Sequence, residues 1–188
     1  RVEANYHALY AVSTQWVKTR IQEAAKQGYS EGAFGLRIRT PLLKQVVWNG
    51  VKIPKEAEAE ARTLGNAISG QSYGLLNNRA AVAFMEKVWA SKYRHDILPV
   101  ALIHDAAYFL VRDNVEAVHW LNTELPKEMS WQDLPEIQHP DVKLGAELDL
   151  FYKGWHQPIT LPNSISQIDI IKLCKEKIAA YEKPKGND

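Results

Sequence analysis

The sequence contains almost no cysteine, no excess of charge of either sign and no long hydrophobic run. Its single cysteine, Cys174, excludes an internal disulfide and any zinc site built from several cysteines, and it fits an intracellular, cytoplasmic protein. The 23 Lys and Arg residues against 22 Asp and Glu residues give a net charge of +1. The overall charge therefore does not indicate that the protein binds nucleic acid. No run approaches the ~18 apolar residues of a membrane helix, so we expect no membrane partner.

The composition is that of a globular protein. Hydrophobic residues make up 46% of the 188 residues and charged residues 24%, which is enough for one ordinary folded domain and excludes disorder as the main state. The first residue is Arg1 and not Met, which indicates a fragment or a processed product.

The first part of the chain predicts a helix followed by a strand. Apolar residues at helical spacing predict an amphipathic helix over 3–27, which Gly28 ends. Within 29–41, apolar side chains alternate with Arg37 and Arg39, which predicts a strand with one basic face. That face is either an ordinary solvated surface or a contact for phosphate groups, and the residues taken singly favour the first interpretation.

The remaining elements follow from turn residues and periodicity. They are a hairpin over 46–53 with an Asn-Gly turn, a long helix over 55–90, two apolar strands over 97–112, a helix over 113–124 capped by Asp113 or Asn114, a loop-rich segment over 125–141, a short strand over 144–152, and a helix over 165–181 capped by Ser164 or Ser166. This order predicts an α+β fold in which long helices pack on a small antiparallel sheet.

The most informative stretch is LPVALIHDAAYFLVRD, in which two apolar runs flank the pair His104-Asp105. Burying an ionised carboxylate is costly unless it is paired or binds a metal. Asp105 therefore either lies at a turn between two strands, where it reaches solvent or a metal, or is buried with a raised pKa. The first interpretation is the better one, although such a dipeptide also occurs by chance.

The long predicted helix carries polar residues and three glycines. Arg62 and Asn66 are four residues apart and share one face, and Gln71 follows. These side chains donate hydrogen bonds that suit minor-groove acceptors and sugar oxygens, yet a solvated helix face is the commoner explanation. Each helical glycine costs roughly 1 kcal/mol relative to Ala, so the three glycines need a reason such as close approach of another backbone.

Four segments, taken in order, resemble the C-terminal part of family A DNA polymerases. They are GYSEGAFGLRIRTP, EARTLGNAISGQSYGLLNNRA, LPVALIHDAAYFLV, which resembles the family's motif C, and LGAELDLFYKGWHQPI. The segments lie between Gly28 and Ile159, and the resemblance is taken to cover roughly residues 6–160. The sequences of these motifs most resemble those of phage replicative members of the family. A phage protein of this kind would act in the host cytoplasm.

The resemblance implies a palm-type fold, with the end of the fingers and connecting hairpins in 1–54, the palm part with the motif C hairpin in 55–160, and a C-terminal helix and tail in 161–188. It implies catalysis by two Mg²⁺ ions on primer-template DNA and a dNTP. A processivity factor is a further expected partner.

The resemblance also assigns roles to single residues. Asp105 would bind metal, and His104 would contact the primer terminus or orient the neighbouring backbone. Arg62, Asn66 and Gln71 would hold the primer-template duplex. Arg37 and Arg39 would contact its sugar-phosphate backbone.

The sequence departs from the family's pattern at three points. Ala106 follows His-Asp where the family often has Glu, and Gln71 follows Asn66 by five residues where the family has four. The strand with the motif A acid and the nucleotide-binding fingers helix are not in this sequence, so an upstream segment or a complementary subunit is expected to supply them.

Two other functions fit the same residues. A His-Asp metal phosphohydrolase would need further ligands such as His95, His119 and Asp113. A non-catalytic module would bind duplex nucleic acid through the long helix.

Overall fold

The computed structural model describes residues 5, 8–44, 55–152 and 154–182, and over these residues the chain is α+β, as predicted. They include the helices α1 (Ala11–Gln27), α2 (Lys55–Ala90), α3 (Val115–Met129) and α4 (Gln167–Glu182), and the strands β1 (Tyr29–Glu31), β2 (Arg37–Arg39), β3 (Ile97–Ile103), β4 (Ala106–Val111), β5 (Leu148–Phe151) and β6 (Pro158–Leu161). The described strands form three antiparallel pairs, β1–β2, β3–β4 and β5–β6. The predicted hairpin over 46–53 lies outside the described residues.

The chain divides into two compact units, Arg1–Leu75 and Leu76–Asp188. The predicted functional divisions 1–54, 55–160 and 161–188 stay predictions. Among the described residues, no helix has both the length and the apolar character needed to cross a membrane.

In the first unit, α1 ends where the sequence predicts. Gly28 adopts the left-handed conformation with φ 84° and donates its N–H to the Ala24 carbonyl at 2.7 Å, which closes the last turn of the helix. Beyond it, β1 pairs with β2, and Tyr29 lies opposite Arg39.

The prediction of one continuous alternating strand within 29–41 is wrong in its centre. Residues Ala33–Gly35 form a 3-10 turn in which Phe34 has φ 60° and Gly35 has φ 71°. Glycine tolerates positive φ without steric cost, so the glycine-rich segment turns the chain back and makes a short hairpin. Arg37 and Arg39 still share one exposed face of β2.

The close approach of another backbone expected at the three helical glycines is wrong for Gly70 and Gly74, where a Cβ would meet nothing within 4 Å, and at Gly65 the nearest neighbour is a side chain. A Cβ atom built on Gly65 would lie 3.0 Å from the Val17 side chain of α1. The contact sits beside a buried cluster that includes Ala24, Leu64 and Ile68. Glycine at 65 therefore lets α1 and α2 pack closely.

The second unit has its core between α2, α3 and the β3–β4 hairpin. Phe84 of α2 is fully buried and meets Phe109 of β4 edge to face, with ring centroids 5.3 Å apart. Val88, Ile97 and Leu121 complete the same cluster. The two apolar strands predicted over 97–112 are confirmed.

Helix α3 begins as predicted but ends later. The Asn114 side chain accepts a hydrogen bond from the Glu116 N–H at 2.9 Å, which confirms the predicted cap. The prediction of loop from residue 125 is wrong over 125–129, because the helix continues through the buried Pro126 to Met129. Ion pairs from Lys87 of α2 to α3 hold these last turns in place.

The last elements form a separate layer of the second unit. The predicted strand is confirmed over β5, whereas its partner β6 was not predicted. Helix α4 covers this pair with a cluster that includes Ile159, Leu161 and Ile170. Ser166 caps α4 by accepting the Asp169 N–H at 3.2 Å.

The ion pairs of Glu124 with Lys127 of α3 and Lys87 of α2 predict an acid-sensitive stability. Lys127 and Lys87 donate hydrogen bonds to Glu124 and lower its pKa below the ordinary 4.5. A lowered folded-state pKa stabilises the protein above pH 4.5, and this stability is lost as the pH falls through the folded-state value. We expect Glu124→Gln to reduce the unfolding free energy by about 0.5–1 kcal/mol at neutral pH, with no difference in strong acid. Urea titrations across pH measure this.

The exposed Glu136, in the 3-10 turn Pro135–Ile137, provides the matched control. Glu136→Gln should leave the unfolding free energy unchanged at every pH. A Glu124→Gln deficit that persisted in strong acid would contradict the ion-pair explanation.

Candidate active-site turn

His104 and Asp105 form the two-residue turn that connects β3 to β4. Ile103 and Ala106 pair directly on either side of the turn. His104 has φ 55°, the positive value that a tight hairpin requires at its first turn position. Both side chains are exposed. The prediction that Asp105 lies at a turn and reaches solvent is therefore confirmed.

Asn77 of α2 fixes the backbone of this turn. Its Nδ2 donates hydrogen bonds to the carbonyl oxygens of His104, at 3.3 Å, and Ala106, at 3.1 Å. Asn77 is only 3% exposed, so the donating end of both bonds is buried. One amide on a long helix thus holds the carbonyls on both sides of Asp105.

The other end of the same amide has no partner. Asn77 Oδ1 is buried without a hydrogen bond among the described residues. Two carbonyl acceptors require the NH₂ group on their side, so the amide cannot turn round to satisfy its oxygen without losing both bonds. The unpaired buried oxygen destabilises the fold, and it results from the two hydrogen bonds by which the Asn77 amide holds the turn.

In the sequence, Asn77 is one of several polar residues of the long predicted helix, and no role was predicted for it. Its contact with His104 spans 27 residues of sequence, so no local pattern marks it. The one available signal was a run of three polar residues, Asn77 to Arg79, between Leu75-Leu76 and Ala80-Ala81, because consecutive residues of a helix cannot all lie on its solvated face.

The turn provides one hard oxygen ligand for a divalent cation. Over the described residues, no hydrogen bond or ion pair engages the Asp105 carboxylate, and no three His, Cys, Asp or Glu side chains come together to hold a metal. Mg²⁺ prefers carboxylate oxygens, keeps several waters and needs only one or two protein carboxylates. Asp105 therefore fits Mg²⁺ as one ligand of a site that other residues must complete.

The further ligands of the phosphohydrolase alternative do not join this turn. His95 accepts a hydrogen bond from Arg94 at 3.1 Å, and His119 Nδ1 lies 2.8 Å from the Ile165 carbonyl oxygen. One ring nitrogen of each histidine is thus engaged elsewhere in the second unit. The described residues thus offer no assembled His-Asp metal cluster.

The residues expected to hold the primer-template duplex, as distinct from the primer terminus assigned to His104, all belong to the first unit. Arg62 and Asn66 are exposed on one face of α2. The helix is continuous there, so Gln71 is turned roughly 140° away from Asn66 at 3.6 residues per turn. Gln71 is exposed but does not share the face of the other two.

The two arginines of β2 differ in their surroundings. Both are exposed, but Arg37 pairs with Glu31 at 3.1 Å and lies over the Tyr29 ring at 4.6 Å. A phosphate would have to compete with Glu31 for Arg37. Arg39 shows no such ion pair among the described residues.

Comparison with known proteins gives no match for this chain, whether with family models, curated proteins or solved structures.

The Asn77 clamp predicts a specific loss on substitution. Asn77→Leu keeps the size of the side chain but leaves the His104 and Ala106 carbonyls without their donor. We expect a loss of about 1–3 kcal/mol in unfolding free energy. The backbone amides of the turn should also exchange faster with solvent. Urea unfolding and amide hydrogen exchange measure these two effects.

The neighbouring Asn78 is exposed on the same helix and supplies the control. Asn78→Leu should change the unfolding free energy by less than about 0.5 kcal/mol. Equal effects of the two substitutions would show that the amide does not hold the turn.

Proposed function

We propose that this chain is the C-terminal part of a family A, phage-like DNA polymerase that adds deoxynucleotides to a primer 3′ end. The observation that carries the proposal is the exposed Asp105 at the tip of a two-residue hairpin turn, held by a buried amide from the long helix. An exposed carboxylate on a rigid turn is a suitable ligand for a catalytic metal ion. The ordered motif resemblance adds the reaction class.

In this proposal Asp105 holds a metal ion in a fixed place. Two Mg²⁺ ions, when bound, would lower the pKa of the primer 3′-hydroxyl and stabilise the leaving pyrophosphate. The β3 and β4 strands restrict the position of the carboxylate, and Asn77 restricts the backbone that carries it. The second carboxylate would come from the motif A strand, which an upstream segment or complementary subunit supplies.

His104 precedes the metal ligand and exposes its imidazole beside it. We assign it to the primer terminus, where a ring nitrogen can donate a hydrogen bond to a sugar or phosphate oxygen. The positive φ of His104 sets the direction in which its side chain leaves the turn.

The first unit contributes the duplex contacts in this proposal. Arg62 and Asn66 present donors from one helix face to minor-groove acceptors, which every base pair offers at similar positions. Such contacts test the geometry of a base pair without reading its sequence. Arg37, Arg39 and Gln71 would contact the sugar-phosphate backbone and neighbouring atoms, and the arginine contacts would weaken with salt.

Loss of the Asp105 carboxylate should abolish nucleotide addition. In the complete polymerase, formed by this chain and the polypeptide encoded upstream, we expect Asp105→Asn to slow primer extension at least about a thousandfold. The reason is that several kcal/mol of transition-state stabilisation depends on the bound metal. Duplex binding should stay within about twofold, because Asp105 is not assigned to the duplex.

The exposed Asp141 gives a matched control, and Asp141→Asn should extend primers normally. Normal extension by Asp105→Asn would remove Asp105 from the metal site. Tight binding of Zn²⁺ or Mn²⁺ by this chain alone, without polymerase activity in the mixture, would favour the phosphohydrolase. Duplex binding without activity or metal dependence would favour the non-catalytic module.

Loss of the Arg62 guanidinium should weaken primer-template binding and raise misextension. A charge-assisted hydrogen bond to the duplex contributes about 1.5–3 kcal/mol, so Arg62→Ala should reduce affinity at least about tenfold. Fluorescence anisotropy with matched and mismatched primers measures affinity, and single-nucleotide extension measures fidelity. The exposed Arg94 of the second unit is the charge-matched control, and Arg94→Ala should leave both unchanged. Unaltered affinity and fidelity in Arg62→Ala would exclude Arg62 from the duplex site.

A further inference from the structure

Three aromatic rings stack where the turn between β5 and β6 meets β4. Trp155 of this turn lies nearly parallel to Tyr108 of β4 and to Phe151 of β5, at interplanar angles of 15° and 19°. The ring centroids are 5.0 Å apart for Trp155 and Tyr108 and 5.8 Å apart for Trp155 and Phe151. Offset-stacked rings at such separations attract one another, so two neighbours hold the indole in place.

The backbone that carries Trp155 is also fixed. Gln157 donates its N–H to the Gly154 carbonyl at 3.1 Å, which closes a four-residue turn with Trp155 at its second position. Phe151 and Pro158 pair across the two strands at the base of this turn. The hydrogen-bonded turn and the ring stack together give the indole a defined orientation.

Trp155 nevertheless stays 68% exposed. Covering both faces of an indole would remove most of its accessible surface, so the larger part of at least one face is open to solvent. Tight turns usually carry Gly, Pro, Asn, Asp or Ser, because these residues suit the turn backbone. An open aromatic face on a fixed turn is therefore a feature that the fold itself does not require.

The arrangement of the rings favours a flat ligand. Aromatic cages for methylated ammonium groups surround a cation with several ring faces. Here the planes are nearly parallel, so they do not form a cage, and a further planar ring can continue the stack. Nucleobases stack on exposed aromatic side chains in this way with little dependence on sequence.

The charges around the stack suit a polyanion. Residues 151–160 contain one lysine, one histidine and no acidic residue. The Tyr181 hydroxyl of α4 donates to the Pro158 carbonyl at 2.8 Å, which places the end of α4 beside the hairpin. Lys177 lies four residues before Tyr181 on the same helix face, is exposed, and has no ion pair among the described residues. Its ammonium group is available to a phosphate.

We propose that Trp155 is a stacking site for an unpaired base of single-stranded DNA and that Lys177 contacts a phosphate beside that base. Tyr108, which supports the indole, follows Asp105 by three residues, about 10 Å of extended chain. The site therefore holds a single strand close to the candidate turn. The choice of DNA rests on the proposed function, whereas the stacking of a planar ring rests on the geometry alone.

The test follows the indole N–H signals of the full chain, isotope-labelled at tryptophan nitrogen, during titration with an octamer of deoxyadenosine at low salt. We expect the signal of Trp155, identified by its absence from Trp155→Phe, to shift as a base covers the ring. An octamer with the same phosphates but no bases cannot stack, so it should leave this signal in place. Trp89, 63% exposed on α2, is the matched control, and its signal should not move.

Fluorescence anisotropy with the same octamers measures affinity. Trp155→Ala should weaken binding of the deoxyadenosine octamer at least about fivefold, the lower limit of base stacking on an aromatic side chain, whereas Trp89→Ala should not. Lys177→Gln should weaken both octamers equally and reduce the salt dependence, because it removes a phosphate contact. Lys175 is exposed on another face of α4, so Lys175→Gln is the control for charge. Thermal unfolding verifies that each variant folds.

The outcomes separate this inference from the proposed function. An unmoved Trp155 signal, an equal shift with the base-free octamer, or equal affinities of Trp155→Ala and Trp89→Ala would overturn the stacking site. A larger shift with a neutral oligosaccharide than with the deoxyadenosine octamer would also overturn it, in favour of sugar rings. Stacking at Trp155 in a chain that never supports primer extension would uphold the site and overturn the polymerase proposal. Primer extension without stacking would do the reverse.

Discussion

The geometry of the candidate site depends on the buried amide of Asn77. Its two hydrogen bonds to the His104 and Ala106 carbonyls connect a rigid helix to the backbone on both sides of Asp105. The same helix is anchored further along by Phe84, which packs against Phe109 of β4. The turn is thus held at its tip by hydrogen bonds and along its strand by apolar packing. The backbone that carries the exposed carboxylate thus has a defined position, although the carboxylate makes no contact of its own.

The sequence predicted the turn and the helix ends because neighbouring residues determine such local structure. Two apolar runs around a polar pair require strands with a solvent-exposed connection, and Gly28 and Asn114 act within one helical turn. The period of 3.6 residues per turn likewise places Gln71 on a different face of the long helix from Asn66. What these patterns lacked was any information on pairs distant in sequence, and the Asn77 clamp is such a pair.

The incorrect predictions have the same origin. Pro126 normally argues against a helix, but burial and ion pairs from α2 to the last turns of α3 outweigh the preference. The alternation through Phe34 suggested a strand, whereas two neighbouring glycines favour a reversal. In both cases tertiary contacts or backbone freedom outweighed a periodic pattern.

The position of Asp105 decides what else a two-metal site at this turn would need. Over the described residues, no three His, Cys, Asp or Glu side chains come together, so the turn offers one carboxylate where two metal ions require more. Because Mg²⁺ keeps several waters and takes only one or two protein carboxylates, one further carboxylate beside the turn would be enough. Asn77 fixes the backbone on both sides of Asp105, so that second carboxylate would have to approach a turn whose position is already set.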